Sequence, residues 1–306
     1  MNLDFYIKKR RGRGQIAFLV LALIVKVVLS FFVFELSKTY GYYGVVFDPR
    51  PAWLILLSYL TFAFIALSID VRLNKASNVL HFMLFTFCFI PISVQYDIYY
   101  QRDSAMYWML AGMFILIPIL KDRAEVRLLL SNIRFNFTIY QYLYSAVIIA
   151  VLMLIVLIKN HGFDFNISGI TEVYDQRAVY KAETNRLSQY SFNWLGNVLN
   201  VLLILIGVAR KNKTLLFVGL AMSVYLFSIG GHKSMFFVGP LGLMLFILYR
   251  ILRKNFILGL MGGLSLLFGS LLFVDLFLGR TTFVSSLIVR RGVLLPSQIY
   301  YNYGEF

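Results

Sequence analysis

Charged side chains are scarce in this chain. Lys, Arg, Asp and Glu make up 14% of its 306 residues, where 60% are hydrophobic and 17% aromatic. A soluble domain is about 25% charged, so a soluble fold of this size would lack the polar residues to cover its surface. Cysteine is rarer still. The one cysteine, Cys88, excludes an internal disulfide and any cysteine-based metal cluster. The three histidines, His81, His161 and His232, are far apart and lack metal-ligand spacing. No metal or other cofactor is expected. There is no internal repeat and no low-complexity linker, so the whole chain, 1–306, reads as one transmembrane domain.

What the chain has in quantity is apolar sequence in long continuous runs. A bilayer suits such a chain, provided every backbone N–H and C=O is paired internally, which leaves helices or a closed barrel. A barrel needs segments of about ten residues with alternating polarity, and these runs do not alternate. The expectation is an all-α polytopic bundle of about nine spans, at 16–36, 52–69, 79–95, 104–120, 138–158, 191–209, 214–230, 235–249 and 256–278. Each approaches the roughly 20 residues that cross about 30 Å of hydrocarbon, and tilt or thinning accommodates the shorter ones. The basic stretch Lys8–Arg13 precedes the first run. That run is too long for a signal-peptide core and has no small-residue cleavage pattern after it, so it reads as an uncleaved span.

The net charge of +15 would point to nucleic acid in a soluble protein. Here it reads as the positive-inside bias, and no nucleic-acid partner is expected. With a cytoplasmic N-terminus, seventeen Lys and Arg fall on the inner side and eleven on the outer, with Lys26 inside the first span. The outer eleven concentrate in the loop 159–190 and in the tail 279–306. Gly304-Glu305-Phe306 has nothing of a natural terminus, so the protein is expected to continue into further spans.

Several constellations could carry chemistry. Arg177, Lys181, Arg186, Lys233, Arg280, Arg290 and Arg291 all fall on the outer side. Arginine forks suit phosphate, although contacts with anionic lipid would explain each residue singly. The turn Gly230-Gly231-His232-Lys233-Ser234 offers flexible backbone, a cation, and a histidine able to exchange a proton near neutral pH. A plain helix hairpin with a polar tip is the bland alternative. Asn193, Asn197 and Asn200, at helical spacing, form one stripe that would line an outward-open cavity or bond a neighbouring helix. Glu172 and Asp175 are outer carboxylates available as a general base, among Asp97, Asp103, Asp164, Glu183 and Glu305. Lys26, deep in the first span, pairs or snorkels. Many tyrosines, Tyr96, Tyr99, Tyr100, Tyr180 and Tyr190 among them, read as an aromatic belt. Gly259 and Gly263 read as a small-xxx-small packing pair.

Three segments, Val173-Tyr174-Asp175-Gln176-Arg177-Ala178-Val179-Tyr180, the Gly-Gly-His-Lys-Ser turn, and Arg290-Arg291-Gly292-Val293-Leu294-Leu295-Pro296 with Tyr300-Tyr301-Asn302-Tyr303 after it, resemble the bacterial oligosaccharide repeat-unit polymerases. These are the Wzy-type O-antigen and capsule polymerases. The resemblance implies a fold like the GT-C-like polysaccharide polymerases and ligases, in the bacterial inner membrane. It implies a donor and an acceptor that are undecaprenyl-pyrophosphate-linked oligosaccharides, chain transfer to a sugar hydroxyl, and departure of the pyrophosphate. It implies membrane lipid and a chain-length regulator protein as partners. Arg177, Lys233, Arg290 and Arg291 would handle the pyrophosphate charge, with Lys181 and Arg280 beside them. His232, Asp175 and Glu172 would be the catalytic candidates. An O-antigen ligase and a transporter or flippase of a lipid-linked or anionic substrate are the rival readings.

Overall fold

The computed structural model of the protein describes residues 3–40, 47–71, 76–100, 104–121, 139–163 and 173–304. Those residues are nearly all helical, and one isolated bridge joins Asp48 to Tyr99. Among the described residues, five helical segments are long and apolar enough to cross a membrane: Gly12–Thr39, Ser77–Ile98, Arg186–Ala209, Lys213–Gly230 and Ser234–Leu278. Shorter apolar helices run over Ala52–Ser68, Ala105–Pro118 and Val147–His161. By length and composition this architecture is compatible with an α-helical membrane protein. The 45-residue segment Ser234–Leu278 holds two helices. The first ends at Arg253, which takes φ 45 and ψ −114, a conformation that an L-residue in a helix does not adopt.

The chain forms two compact units, 1–132 with 254–306, and 133–253. In the first, α1 (Leu3–Tyr40) is the central element. The helix α2 (Ala52–Ser68) runs antiparallel to it, since Gln15 bonds the Leu67 carbonyl and Lys26 bonds Ser58. The pair α3 (Ala76–Leu84) and α4 (Ile90–Ile98) forms one rod through a π turn, Phe85–Phe89. Pro91 explains that turn: it has no N–H to give the preceding turn, and its ring crowds the carbonyl four residues back. The wider π turn relieves both. The helix α5 (Ala105–Lys121) packs against α2 and α4.

Water does not drive these helices together inside lipid; close packing does. Phe18, Phe62, Phe82, Phe85, Phe89, Phe114 and Tyr107 supply it as a continuous run of tilted, stacked and edge-on ring pairs. Each such pair is worth about 0.5–1.5 kcal/mol beyond its burial.

In the second unit, α6 (Ile139–His161) and the short α7 (Val173–Glu183) precede a rod made of α8 (Arg186–Trp194), a π turn Leu195–Leu199 and α9 (Asn200–Ala209). Then come α10 (Lys213–Gly230) and α11 (Lys233–Leu252). Glycines let α9, α10 and α11 approach: a side chain at Gly219 or Gly239 would meet Ile204, at 2.5 and 2.7 Å. The chain returns to the first unit with α12 (Phe256–Leu278), which runs parallel to α1. A short turn at Phe283–Ser285, a long π segment Ser286–Leu294 and α13 (Leu295–Gly304) complete it. Pro296 stands after that π segment as Pro91 stands after the first.

Candidate functional site

Arg177, His232 and the glycine turn come together at one end of the second unit. The helix α10 ends at Gly231, whose left-handed backbone (φ 59) turns the chain back on itself. Only glycine adopts this without strain, and His232 then precedes α11. Arg177, on α7, donates through Nε to the Gly231 carbonyl at 3.0 Å. The His232 ring lies 5.7 Å from that of Phe192 and 6.4 Å, edge-on, from that of Tyr180. Tyr180 in turn packs on Phe192 and His161, each at 5.0 Å. Asn185 caps α8 by accepting from the Ser188 amide at 2.8 Å, and Asn160 bonds the Ser188 hydroxyl, fixing the α7–α8 turn onto α6.

Burial and the adjacent Arg177 cation hold the His232 imidazole below its usual range. At neutral pH the ring is uncharged and can accept a proton. Replacing Arg177 with Ala should move the His232 titration upward, because a repelling cation is gone. Histidine resonances tracked through a pH series would show it, and an unmoved midpoint would contradict the pairing.

The other expected site residues are more scattered. Lys181 is exposed on α7. Asp175 lies on α7 and Lys233 opens α11. Glu172, Asp103, Asp164 and Glu305 lie outside the described residues. Arg280, Arg290 and Arg291 belong to the first unit. Arg280 comes directly after the left-handed Gly279 cap of α12 and is exposed. Arg290 donates through Nε to Ser286 Oγ at 3.1 Å, and Arg291 is exposed one residue on. No family model, curated protein or solved structure matches this chain.

The expected Asn193–Asn197–Asn200 stripe is corrected. Asn193 and Asn197 are exposed, whereas Asn200 is buried and donates to Ser223 Oγ at 2.7 Å. The π turn Leu195–Leu199 interrupts the stripe, and one inserted residue rotates the rest of a helix by about 100°. Asn200 therefore faces α10 as an interhelical hydrogen bond. Three expected belt tyrosines, Tyr96, Tyr99 and Tyr180, are buried instead. A side chain at Gly263 would meet nothing within 4 Å.

A second polar cluster, in the first unit, was not expected as a site. Lys26 Nζ lies 2.9 Å from Asp97 Oδ2, with the two side chains 0% and 5% exposed. Nζ also donates to Ser58 Oγ at 2.9 Å and sits 4.1 Å over the Tyr59 ring. Arg50, beside them, donates through Nε to the Tyr96 carbonyl at 2.7 Å and stacks 4.3 Å over the Tyr96 ring. Its backbone N–H bonds the Asp97 carbonyl. The Tyr107 ring covers Tyr96 at 4.1 Å. A lysine inside an apolar run calls for a partner, but nothing local identifies one 71 residues away.

Proposed function

We propose that this chain polymerises lipid-pyrophosphate-linked oligosaccharide repeat units into O-antigen or capsular polysaccharide, crossing the bacterial inner membrane about nine times with its N-terminus in the cytoplasm. The observation that carries the reading is Arg177 seated on the Gly231 carbonyl beside His232, at the N-terminus of α11. A guanidinium and a helix N-terminus together favour an anion. A neutral histidine next to them can take the proton of an attacking sugar hydroxyl. In the proposed step the acceptor oxygen bonds to the donor's anomeric carbon, the bond from that carbon to the pyrophosphate oxygen breaks, His232 receives the hydroxyl proton, and Arg177 offsets the charge on the departing lipid pyrophosphate. Arg290 and Arg291 remain pyrophosphate-binding candidates of the first unit in this reading, on the outer side of the membrane by the charge count.

The test is chain length in vesicles holding the full chain and lipid-linked repeat units. Arg177→Ala is expected to lower polymerisation by about 10²-fold or more, the usual cost of removing one charge-stabilising donor, leaving single units. A normal ladder from Arg177→Ala refutes the assignment.

The Lys26–Asp97 pair favours a second reading, a transporter of a lipid-linked or anionic solute, because charged groups inside apolar helices mark transport paths. Vesicles distinguish the two: a transporter moves the lipid-linked unit across the bilayer without lengthening it.

A further inference from the structure

The π segment Ser286–Leu294, which carries Arg290 and Arg291, is tied to the end of α4 by one side chain. Gln95 is 1% exposed. Its Nε2 donates to the Leu294 carbonyl at 2.7 Å and to Ser297 Oγ at 2.6 Å. Ser297 Oγ donates in turn to the same Leu294 carbonyl at 2.7 Å. The knot closes where the π segment ends and α13 begins, next to Pro296, where the helical ladder is interrupted. A second tie lies close by, where Gln298 Nε2 reaches the Tyr99 hydroxyl at 3.3 Å.

The end of α4 is itself held from the other side. Asp97, two residues after Gln95, is clamped by Lys26 of α1, and Arg50 binds the carbonyls of Tyr96 and Tyr99. Carbonyls at a helix C-terminus have no intrahelical partner, so Arg50 completes this end rather than decorating it. The links from Lys26 to Asp97, from Arg50 to the α4 carbonyls, and from Gln95 to Leu294 and Ser297 are buried polar contacts between described residues of one unit. Such contacts fix one geometry, because buried polar groups lose much when they part.

We propose that Gln95 is a positioning residue: braced by the Lys26–Asp97 pair and Arg50 at the end of α4, it sets the orientation of the π segment that presents Arg290 and Arg291. Its consequence for polymerisation rests on the function proposed above; its consequence for the segment does not.

A spin label tests this in the full chain in phosphatidylglycerol-containing vesicles, with Cys88→Ser to remove the native thiol. Gly292→Cys carries the label, since a side chain there meets only the Leu287 carbonyl, at 3.9 Å. Gly269→Cys, in the middle of α12 with nothing within 4 Å, is the control. Gln95→Met keeps the length of the side chain and removes both donated bonds. The expected result is a several-fold rise in label mobility at 292 with no change at 269. An unchanged spectrum at 292, or equal loosening at both positions, overturns the proposal. If Gln95→Met does not accumulate, Ser297→Ala removes one arm of the knot and carries the same comparison. Loosening at 292 with a normal polymer ladder upholds the positioning role and counts against the functional reading instead.

Discussion

Lys26→Leu is expected to unfold much of the protein, while Lys26→Leu combined with Asp97→Leu is expected to fold. The single change leaves Asp97 as a carboxylate buried among apolar helices with its cation gone. Removing one partner of a buried pair costs about 3–5 kcal/mol. The double change removes both charges and returns two branched apolar side chains of similar bulk, and such replacements are commonly neutral or stabilising. A serine within a helix can turn its hydroxyl to the carbonyl four residues back, which would leave Ser58 Oγ a partner. Unfolding in a detergent titration would compare the three proteins. If the double variant is as unstable as Lys26→Leu, mutual neutralisation is not what the pair supplies. If it is stable but its polymer or transport activity is gone, the charges serve function rather than folding.

How much of this was legible beforehand depends on the range of each interaction. The apolar runs and the helices coincide closely: 256–278 against Phe256–Leu278, 52–69 against Ala52–Ser68, 214–230 against Lys213–Gly230. Hydropathy is a local property, and every backbone group in lipid needs an intrahelical partner. Where regular α-helix was assumed throughout, the reading failed. The three asparagines lost their common face because a π turn broke the period. No residue type marks such a turn reliably, although Pro91 and Pro296 stand just after two of the three π segments among the described residues.

The candidate site was legible in part. Arg177 and the glycine–histidine turn were singled out separately, as a cation and a tight turn, and α7 joins them within one unit. In the sequence Asp97 is one of several outer carboxylates and nothing singles out Arg50. Their burial comes from α4 and the chain before α2 packing side by side against α1, a long-range arrangement that charge counting does not carry. Tyr96 and Tyr180 likewise have the composition of an interface belt and the surroundings of a core, because rings crowd both of them and Arg50 stacks on Tyr96.

Gly207→Ala is expected to be among the most damaging single-methyl additions in the chain. A Cβ at 207 would stand 2.6 Å from the Leu216 backbone nitrogen, 3.1 Å from Leu216 Cα and 3.2 Å from the Asn212 carbonyl oxygen. These are main-chain atoms, so no rotamer change relieves the clash. The turn is also tightly made. The Asn212 N–H bonds the Gly207 carbonyl at 2.8 Å, Lys211 takes φ 57, and Asn212 Oδ1 accepts from the amides of Thr214 and Leu215 at the start of α10. Opening the hairpin enough for a methyl would strain all of these. Overpacking costs about 1–3 kcal/mol and sometimes more, and the better helix propensity of Ala returns only about 1 kcal/mol. Because the clash is with main-chain atoms, a net loss near the upper end of the difference, about 2 kcal/mol, is expected, read as an earlier detergent-unfolding midpoint. Gly263→Ala supplies the contrast, because that position is open and helical: the propensity gain of up to about 1 kcal/mol has nothing to oppose it. Equal midpoints for Gly207→Ala and Gly263→Ala would mean that α9 and α10 do not meet at Gly207 as closely as this geometry requires.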